Sequence, residues 1–218
     1  ASKLLKPGLD VDTWYLTEWA GVDPETGKAQ WYKTDANGER VKTFSYGDAS
    51  KNQIAIDRYT PDFFGGFSTN LSWKNLDMSA VFGYSVGGEI YNYDRSMYDS
   101  DGAYVNYNQM NLRDDWNRWE KPGDIATHPK AEYGNKSQSS KGSSRYLEDA
   151  SYLRLRSLTL GYTLPWKIQY VDNVRLSFSG ENLFVLSGFS GVDPELPAEV
   201  GSQYKAGSVG VAISPYPQ

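Results

Sequence analysis

Between Phe67 and Trp73 the chain alternates. Phe67, Thr69, Leu71 and Trp73 fall on one face, and Ser68, Asn70 and Ser72 on the other. This period of two predicts a strand. After Lys74-Asn75 it resumes, with Leu76, Met78, Ala80, Phe82 and Tyr84 opposed to Asp77, Ser79, Gly83 and Ser85, Val81 being the exception. Two such runs joined by two residues predict a β-hairpin. A second pair follows far downstream. Leu158, Leu160, Tyr162 and Leu164 oppose Ser157, Thr159, Gly161 and Thr163, and Pro165 ends the run. Val174, Leu176 and Phe178 then alternate with Arg175, Ser177 and Ser179, continuing toward Asn182-Leu183-Phe184.

The second face of these strands is Ser, Thr, Asn and Gly, with few charges. A soluble sheet usually dresses its outer face with Lys and Glu, whereas a barrel lumen suits small hydroxyls. Strands of about ten residues at about 3.3 Å each, tilted by about 40–45°, cross the roughly 25 Å apolar band of an outer-membrane barrel. Trp73, Trp166 and Tyr170 stand beside the short turns, where an interfacial girdle belongs. Strict alternation would align Arg154 and Arg156 with Leu158 on the apolar face, unless a bulge switches the register.

The connections alternate in length. Those at Lys74-Asn75 and Pro165–Asn173 are short, while Asp23–Pro61, Val86–Tyr146 and Ser187–Gln218 are long and polar. Short turns on one side and long loops on the other mark outer-membrane barrels. An insertion of roughly 60 residues between neighbouring strands is rare in soluble all-β folds. The expected fold is therefore all-β: an antiparallel transmembrane β-barrel segment of about five strands with long extracellular loops, the longest at residues 86–146. Phe67→Trp73 and Leu158→Leu164 then run toward the periplasm, and Leu76→Tyr84 and Val174→Phe184 run outward. Within the loops, Trp14–Ala20, Ala29–Lys33 and Val41–Tyr46 read as extended. Asp23-Pro24-Glu25-Thr26-Gly27 and Asp35-Ala36-Asn37-Gly38 read as turns. Asn106–Glu120 reads as a short helix ended by Lys121-Pro122-Gly123, and Asn135–Ser144 as a flexible tract.

Composition narrows the picture. No run approaches the roughly 18 apolar residues of a transmembrane helix. Tyr, Phe and Trp number 17, 8 and 7, a share that suits girdles and equally a carbohydrate binder. With 0 Cys there is neither a disulfide framework nor a thiolate metal site. A net charge of −5 argues against nucleic acid as a partner. No signal peptide is visible at Ala1–Lys6.

Several stretches, taken together and in order, carry a resemblance: Trp19-Ala20-Gly21-Val22-Asp23-Pro24-Glu25-Thr26-Gly27, Thr60-Pro61-Asp62-Phe63-Phe64-Gly65-Gly66-Phe67, Trp119-Glu120-Lys121-Pro122-Gly123-Asp124, Ser144-Arg145-Tyr146-Leu147-Glu148-Asp149, Tyr152-Leu153-Arg154-Leu155-Arg156, Leu160-Gly161-Tyr162-Thr163-Leu164-Pro165, Glu181-Asn182-Leu183-Phe184 and Ser190-Gly191-Val192-Asp193-Pro194-Glu195. The chain resembles the C-terminal part of SusC/RagA-type TonB-linked outer-membrane transporters over nearly its whole length. The resemblance implies a barrel of about 22 strands, with the plug domain, the TonB-contacting segment and the last strand expected outside this chain. It implies the outer membrane of a Gram-negative bacterium, a SusD-like surface lipoprotein as partner, TonB as the source of energy, and an oligosaccharide or peptide as substrate.

No catalytic constellation is visible, so an enzyme is not expected. His128 stands alone, with no second His and no Cys. No cofactor is expected. Asp10 with Asp12, or Asp99 with Asp101, could at most supply oxygen ligands to calcium, without a Gly-centred calcium loop. The candidate ligand-binding residues are Tyr91, Tyr93 and Tyr107, at the start of the longest loop beside Tyr98 and Tyr104, followed by Asp114, Trp116 and Trp119. Aromatic faces stack on sugar rings, and flanking Asp and Asn bond hydroxyls; the same aromatics could instead pack the loop or meet a partner. Arg154, at the upper end of a strand, completes the set. Two other readings stay open at this level: a soluble β-rich carbohydrate-binding module, which would bury the Leu158, Leu160, Tyr162, Leu164 stripe in protein, and an extracellular hydrolase with a buried carboxylate pair.

Overall fold

A computed structural model describes residues 2–106, 111–134, 136–166, 171–195 and 211–212. In chain order the strands are β1 (Ser2–Lys3), β2 (Thr13–Leu16), β3 (Trp19–Val22), β4 (Ala29–Thr34), β5 (Arg40–Thr43), β6 (Ile54–Arg58), β7 (Phe63–Trp73), β8 (Leu76–Val86), β9 (Glu89–Asn92), β10 (Leu147–Asp149), β11 (Tyr152–Thr163), β12 (Arg175–Ser187) and β13 (Val211–Ala212). The helices are α1 (Tyr46–Ala49) and α2 (Tyr93–Tyr98). The chain divides into two units, one made of residues 61–88 and 149–189, the other of residues 1–60, 89–148 and 190–218.

The first of these units is a four-stranded antiparallel sheet in the order β12-β11-β8-β7. It is built from the two predicted hairpins, and four of the wall strands lie in the described residues. The two-residue turn is as the pattern demanded: Trp73 pairs with Leu76, and Lys74 takes a φ of 54° to close it. Strands of 11, 11, 12 and 13 residues rise about 3.3 Å per residue. Tilted by about 45°, even the shortest spans roughly 26 Å, enough for the apolar band of a barrel wall.

Register separates the two faces. Phe67, Phe82, Leu155 and Phe184 share one row across β7, β8, β11 and β12; Leu71, Met78, Leu160 and Phe178 share another. Phe67 and Phe82 stack at 4.8 Å. This apolar face is exposed: Phe178 is 62% accessible and Trp73 71%. The opposite face carries Ser68, Asn70, Asp77, Ser79, Thr159, Ser177 and Ser179. There Arg175 meets Asp77 at 2.6 Å, and Thr159 meets Ser179 at 2.8 Å. A side chain at Gly161 would run into that Arg–Asp pair, which explains the gap in the row. Each exposed Phe forgoes about 1.5–3 kcal/mol relative to burial, so a face of them needs a covering phase.

The placement of Arg154 corrects strict alternation. The register shifts between Leu155 and Ser157, making Arg156 an extra residue against β8, while on the other side Asn182 and Leu183 of β12 face it together. Below the bulge Leu158, Leu160 and Tyr162 are apolar-side; above it Leu153 and Leu155 are. Arg154 therefore pairs with Gly83 and Val185 on the polar face rather than beside Leu158. The Arg156 guanidinium lies over Gly83, where a β-carbon would collide with it. On β12, Asn182 at φ 50° absorbs the matching irregularity.

At its upper edge the sheet opens into the long excursion, and the two ends of that excursion meet. Gly87 N–H donates to Ser151 Oγ at 2.9 Å, and Ala150 N–H donates to the Gly88 carbonyl at 3.0 Å. Gly87 and Gly88 both have left-handed φ, 79° and 81°, which glycine adopts without the steric cost a β-carbon brings.

The second unit holds three small sheets, ordered β1-β2-β6, β3-β4-β5 and β10-β9-β13. Its cores are aromatic: Trp14, Leu16, Tyr91 and Tyr146 form one, and Ala29, Trp31 and Ala49 the other. The loops predicted as long and polar thus carry packed structure. The Asp23 turn closes with Gly27 N–H donating to the Asp23 carbonyl at 2.8 Å, and the Asp35 turn with Asp35 Oδ1 accepting from Asn37 N–H at 2.9 Å. Three local expectations are corrected. The stretch Trp14–Ala20 splits into β2 and β3, because Thr17 and Glu18 leave the strand path. Val41–Tyr46 stops at Thr43, and Tyr46 opens α1 because Ser45 caps it by accepting from Asp48 N–H at 3.2 Å. The described part of the predicted helix, residues 111–120, is not helical. Its backbone is committed elsewhere: Arg118 bridges His128, and Asn117 accepts from and donates to Thr127. Nor is the Ser/Lys/Gly tract loose where it is described. Ser139 and Ser143 are fully buried. The Ser139 carbonyl accepts from Arg145 and from the Tyr146 hydroxyl.

Candidate functional site

Inside the excursion the sequence gathers its charges. Asn92 caps α2 by accepting from Arg95 N–H at 3.0 Å, which places Arg95 and Asp99 one turn apart on the helix. Arg95 Nε donates to Asp99 Oδ2 at 3.1 Å, and its Nη1 donates to Glu148 Oε1 at 3.0 Å. Arg145, from the short 3-10 turn at Ser144–Tyr146, donates to both carboxylates of Asp101 and Asp99. Arg118 Nη1 reaches Asp101 Oδ1 at 2.7 Å. His128 Nε2 lies 2.8 Å from Asp99 Oδ2, and its Nδ1 lies 2.8 Å from Thr127 Oγ1. Ser190 donates through N–H and Oγ to Glu148, both at 2.7 Å.

Asp99, Asp101 and His128 are sealed from water, and Arg145 nearly so. Three carboxylates face three guanidiniums, so the cluster is balanced without a charge on His128. Burial pushes the Asp99 carboxyl up, but the His128 hydrogen bond and the neighbouring Arg145 and Arg95 charges outweigh it and hold it below its ordinary value. Burial likewise works against the Arg145 charge, and Asp101 and Asp99 more than restore it. Burial raises the Tyr91 and Tyr146 hydroxyls, so both are protonated donors. The carboxylates considered as calcium ligands are thus engaged by cations at Asp99 and Asp101. Asp10 accepts from Asp12 N–H, and Asp12 pairs with Lys3. Among the described residues no group of three or more His, Cys, Asp or Glu forms a metal cradle.

The predicted ligand residues separate. Tyr91 is buried, with Trp14 and Tyr146 rings each 6.1 Å away. Trp119 lies across Gly27 and donates from Nε1 to the Pro24 carbonyl at 2.7 Å. Trp116 roofs the ionic cluster, with the Arg95 guanidinium 4.2 Å from its ring and His128 at 5.1 Å. Tyr93 and Asp114 are exposed, and Tyr107, like Tyr170, lies outside the described residues. Arg154 belongs to the other unit. The structure therefore brings Trp116 to Arg95, Arg113 and His128, and sets Tyr91 and Trp119 into packing.

Sequence reasoning missed Arg95, Arg118, Arg145, Glu148 and Tyr133. Arg145 and Glu148 stand in a quoted run, but their charged partners lie up to 53 residues away. Tyr133 lines an open cleft of about 310 Å3 with Ala103, Tyr104, Val105, Asn106 and Gly134. Nothing in its neighbourhood, Ala131-Glu132-Tyr133-Gly134, marks it.

Comparison with known proteins gives the geometry its context. No family model matches the chain. The TonB-dependent receptor P3 of Formosa agariphila is 30% identical over 212 residues, covering 89% of this chain and 19% of the receptor. The TonB-dependent receptor P26 of the same organism is 30% identical over 193 residues, 86% of this chain and 18% of that receptor. Among solved structures, the RagAB peptide transporter matches with a TM-score of 0.63 at 31% identity, over 84% of this chain and 20% of that one. The RagAB peptide importer in its open-open state matches over 97% of this chain and 22% of that one, with a TM-score of 0.62 and 26% identity. The chain spans about a fifth of the length of the relatives it matches. The four-stranded sheet, its apolar and polar faces and these likenesses over most of the chain agree, and the chain belongs to the SusC/RagA-type TonB-dependent receptors.

Proposed function

We propose that this chain forms part of the wall and extracellular face of an outer-membrane transporter that imports oligosaccharides or peptides together with a SusD-like surface lipoprotein. The carrying observation is the sheet with one exposed apolar face and one exposed hydroxyl face. Lipid covers the first and a hydrated lumen meets the second. The excursion, Tyr93 and Asp114 included, serves as the loop surface toward substrate and lipoprotein, with Trp116 and Arg154 as supporting contacts. TonB acts through the remainder of the protein, and the role is binding and passage rather than turnover. The relatives' names support transport, and RagAB is itself named as a peptide importer.

The test exploits the absence of cysteine in this stretch. Nitroxide labels on Phe178→Cys and Leu160→Cys in the full-length transporter in bilayers should be relaxed by oxygen. Labels on Ser177→Cys and Ser179→Cys should be relaxed by an aqueous nickel chelate. Loss of that alternation, with the apolar positions shielded from both reagents, would favour the soluble carbohydrate-binding reading, in which protein covers the stripe.

A further inference from the structure

The turn at residues 100–104 is built with unusual care for a loop. Ser100 and Asp101 are buried, Ala103 N–H donates to the Ser100 carbonyl at 3.1 Å, and Tyr104 N–H donates to Ser100 Oγ at 3.3 Å. Asp101 takes a left-handed φ of 52° and Gly102 one of 90°. A β-carbon at Gly102 would come within 2.9 Å of the Glu132 carbonyl oxygen, so only glycine permits the close approach of the two segments. That approach is fixed by Glu132 N–H to the Asp101 carbonyl at 2.8 Å and Gly134 N–H to the Gly102 carbonyl at 3.3 Å. Below it, Arg118 and Arg145 clamp the Asp101 carboxylate.

What this foundation carries is exposed. Tyr104 and Val105 stand about half accessible, and Tyr133 is 77% accessible. Strained backbone and buried ion pairs spent on holding two tyrosines in water indicate preorganised recognition rather than packing. The cleft between them, about 310 Å3, sits at the lower end of the roughly 300–1,000 Å3 of small-molecule sites. Its described lining offers two phenol rings, the small apolar residues Ala103 and Val105, one carboxamide and backbone, with no carboxylate, ammonium or guanidinium. Phenol faces match the C–H face of a pyranose, and phenol hydroxyls and Asn106 match its hydroxyls. A peptide's charged ends and side chains would find no counter-charge in that lining.

We infer that the Tyr104–Tyr133 cleft is a binding site for a neutral saccharide, one or two rings of the substrate. This rests on the transport reading and selects between its two substrate classes. The experiment uses the full-length transporter with its lipoprotein. Binding is measured by calorimetry with a panel of neutral tetrasaccharides of gluco, manno, galacto and xylo configuration, and with a tryptic peptide mixture. Tyr104→Ala and Tyr133→Ala should each weaken saccharide binding at least tenfold, and Tyr104→Phe and Tyr133→Phe, which keep the ring, by less. Unchanged saccharide affinity in both alanine variants overturns the site and leaves transport standing. Peptide binding that the alanine variants weaken, with no saccharide bound, overturns the neutral-sugar assignment. Binding of neither class overturns the transport reading beneath it.

Discussion

At the residue scale, Trp119 and Gly27 show how two distant motifs serve one contact. Gly27 has a φ of 66°, and its missing side chain leaves the surface on which the Trp119 indole lies. Gly27→Ala both strains the backbone and displaces the indole, and should cost about 1–3 kcal/mol. Thermal unfolding followed by tryptophan fluorescence would register it as a lowered midpoint, and an unchanged midpoint would refute the contact. Arg145→Met removes a buried cation from Asp99 and Asp101 and should destabilise the excursion by about 3–5 kcal/mol. Hydrogen exchange at residues 95–101 would report it. Neither role was legible in the sequence. Trp119 reads as a sugar-stacking aromatic until its partner 95 residues away at Pro24 is known. Arg145 likewise reads as one charge in a polar loop.

At the element scale, the strands were legible because each wall strand must alternate to separate two phases, and alternation is local. The bulge was not, because one inserted residue leaves composition and local propensity unchanged and alters only what lies beyond it. Because Leu155 and Ser157 already lie opposite the consecutive residues Phe82 and Val81, deleting Arg156 should let β11 pair with β8 without a bulge, keep Arg154 on the polar face opposite Gly83, and leave the irregularity on the β12 side alone. The full-length variant should keep the heat-modifiable electrophoretic mobility of a folded barrel, and loss of that shift would show that the wall requires the bulge. The failed helix at residues 111–120 has a related cause. Trp116 and Trp119 have helical spacing, yet each is claimed by a different partner, and tertiary demand overrides a short periodic signal.

At the scale of the whole molecule, acid separates its two kinds of cohesion. Folding lowers the Asp99 pKa below 3.8, so its contribution is complete above that value and drains away as pH falls through the lower folded one. Amide protection around α2 should be level from neutral down to about pH 4 and fall only in stronger acid. A drop while the carboxylates are still ionised would assign the cohesion to another group. The wall sheet, held by ladder hydrogen bonds and its surrounding phase, should outlast it. The general plan was readable from alternation and loop asymmetry, whereas the interior of the excursion was not, because its core is assembled from charges and rings scattered from Trp14 to Ser190. That excursion departs at Gly88 and returns at Ala150, a single hydrogen bond away. A stretch whose ends already touch behaves as a cassette. Recombination between relatives can exchange it together with the segments it packs on, residues 14–16 and 24–27 among them, while β8 and β11 keep their register, so recognition and wall can be inherited separately.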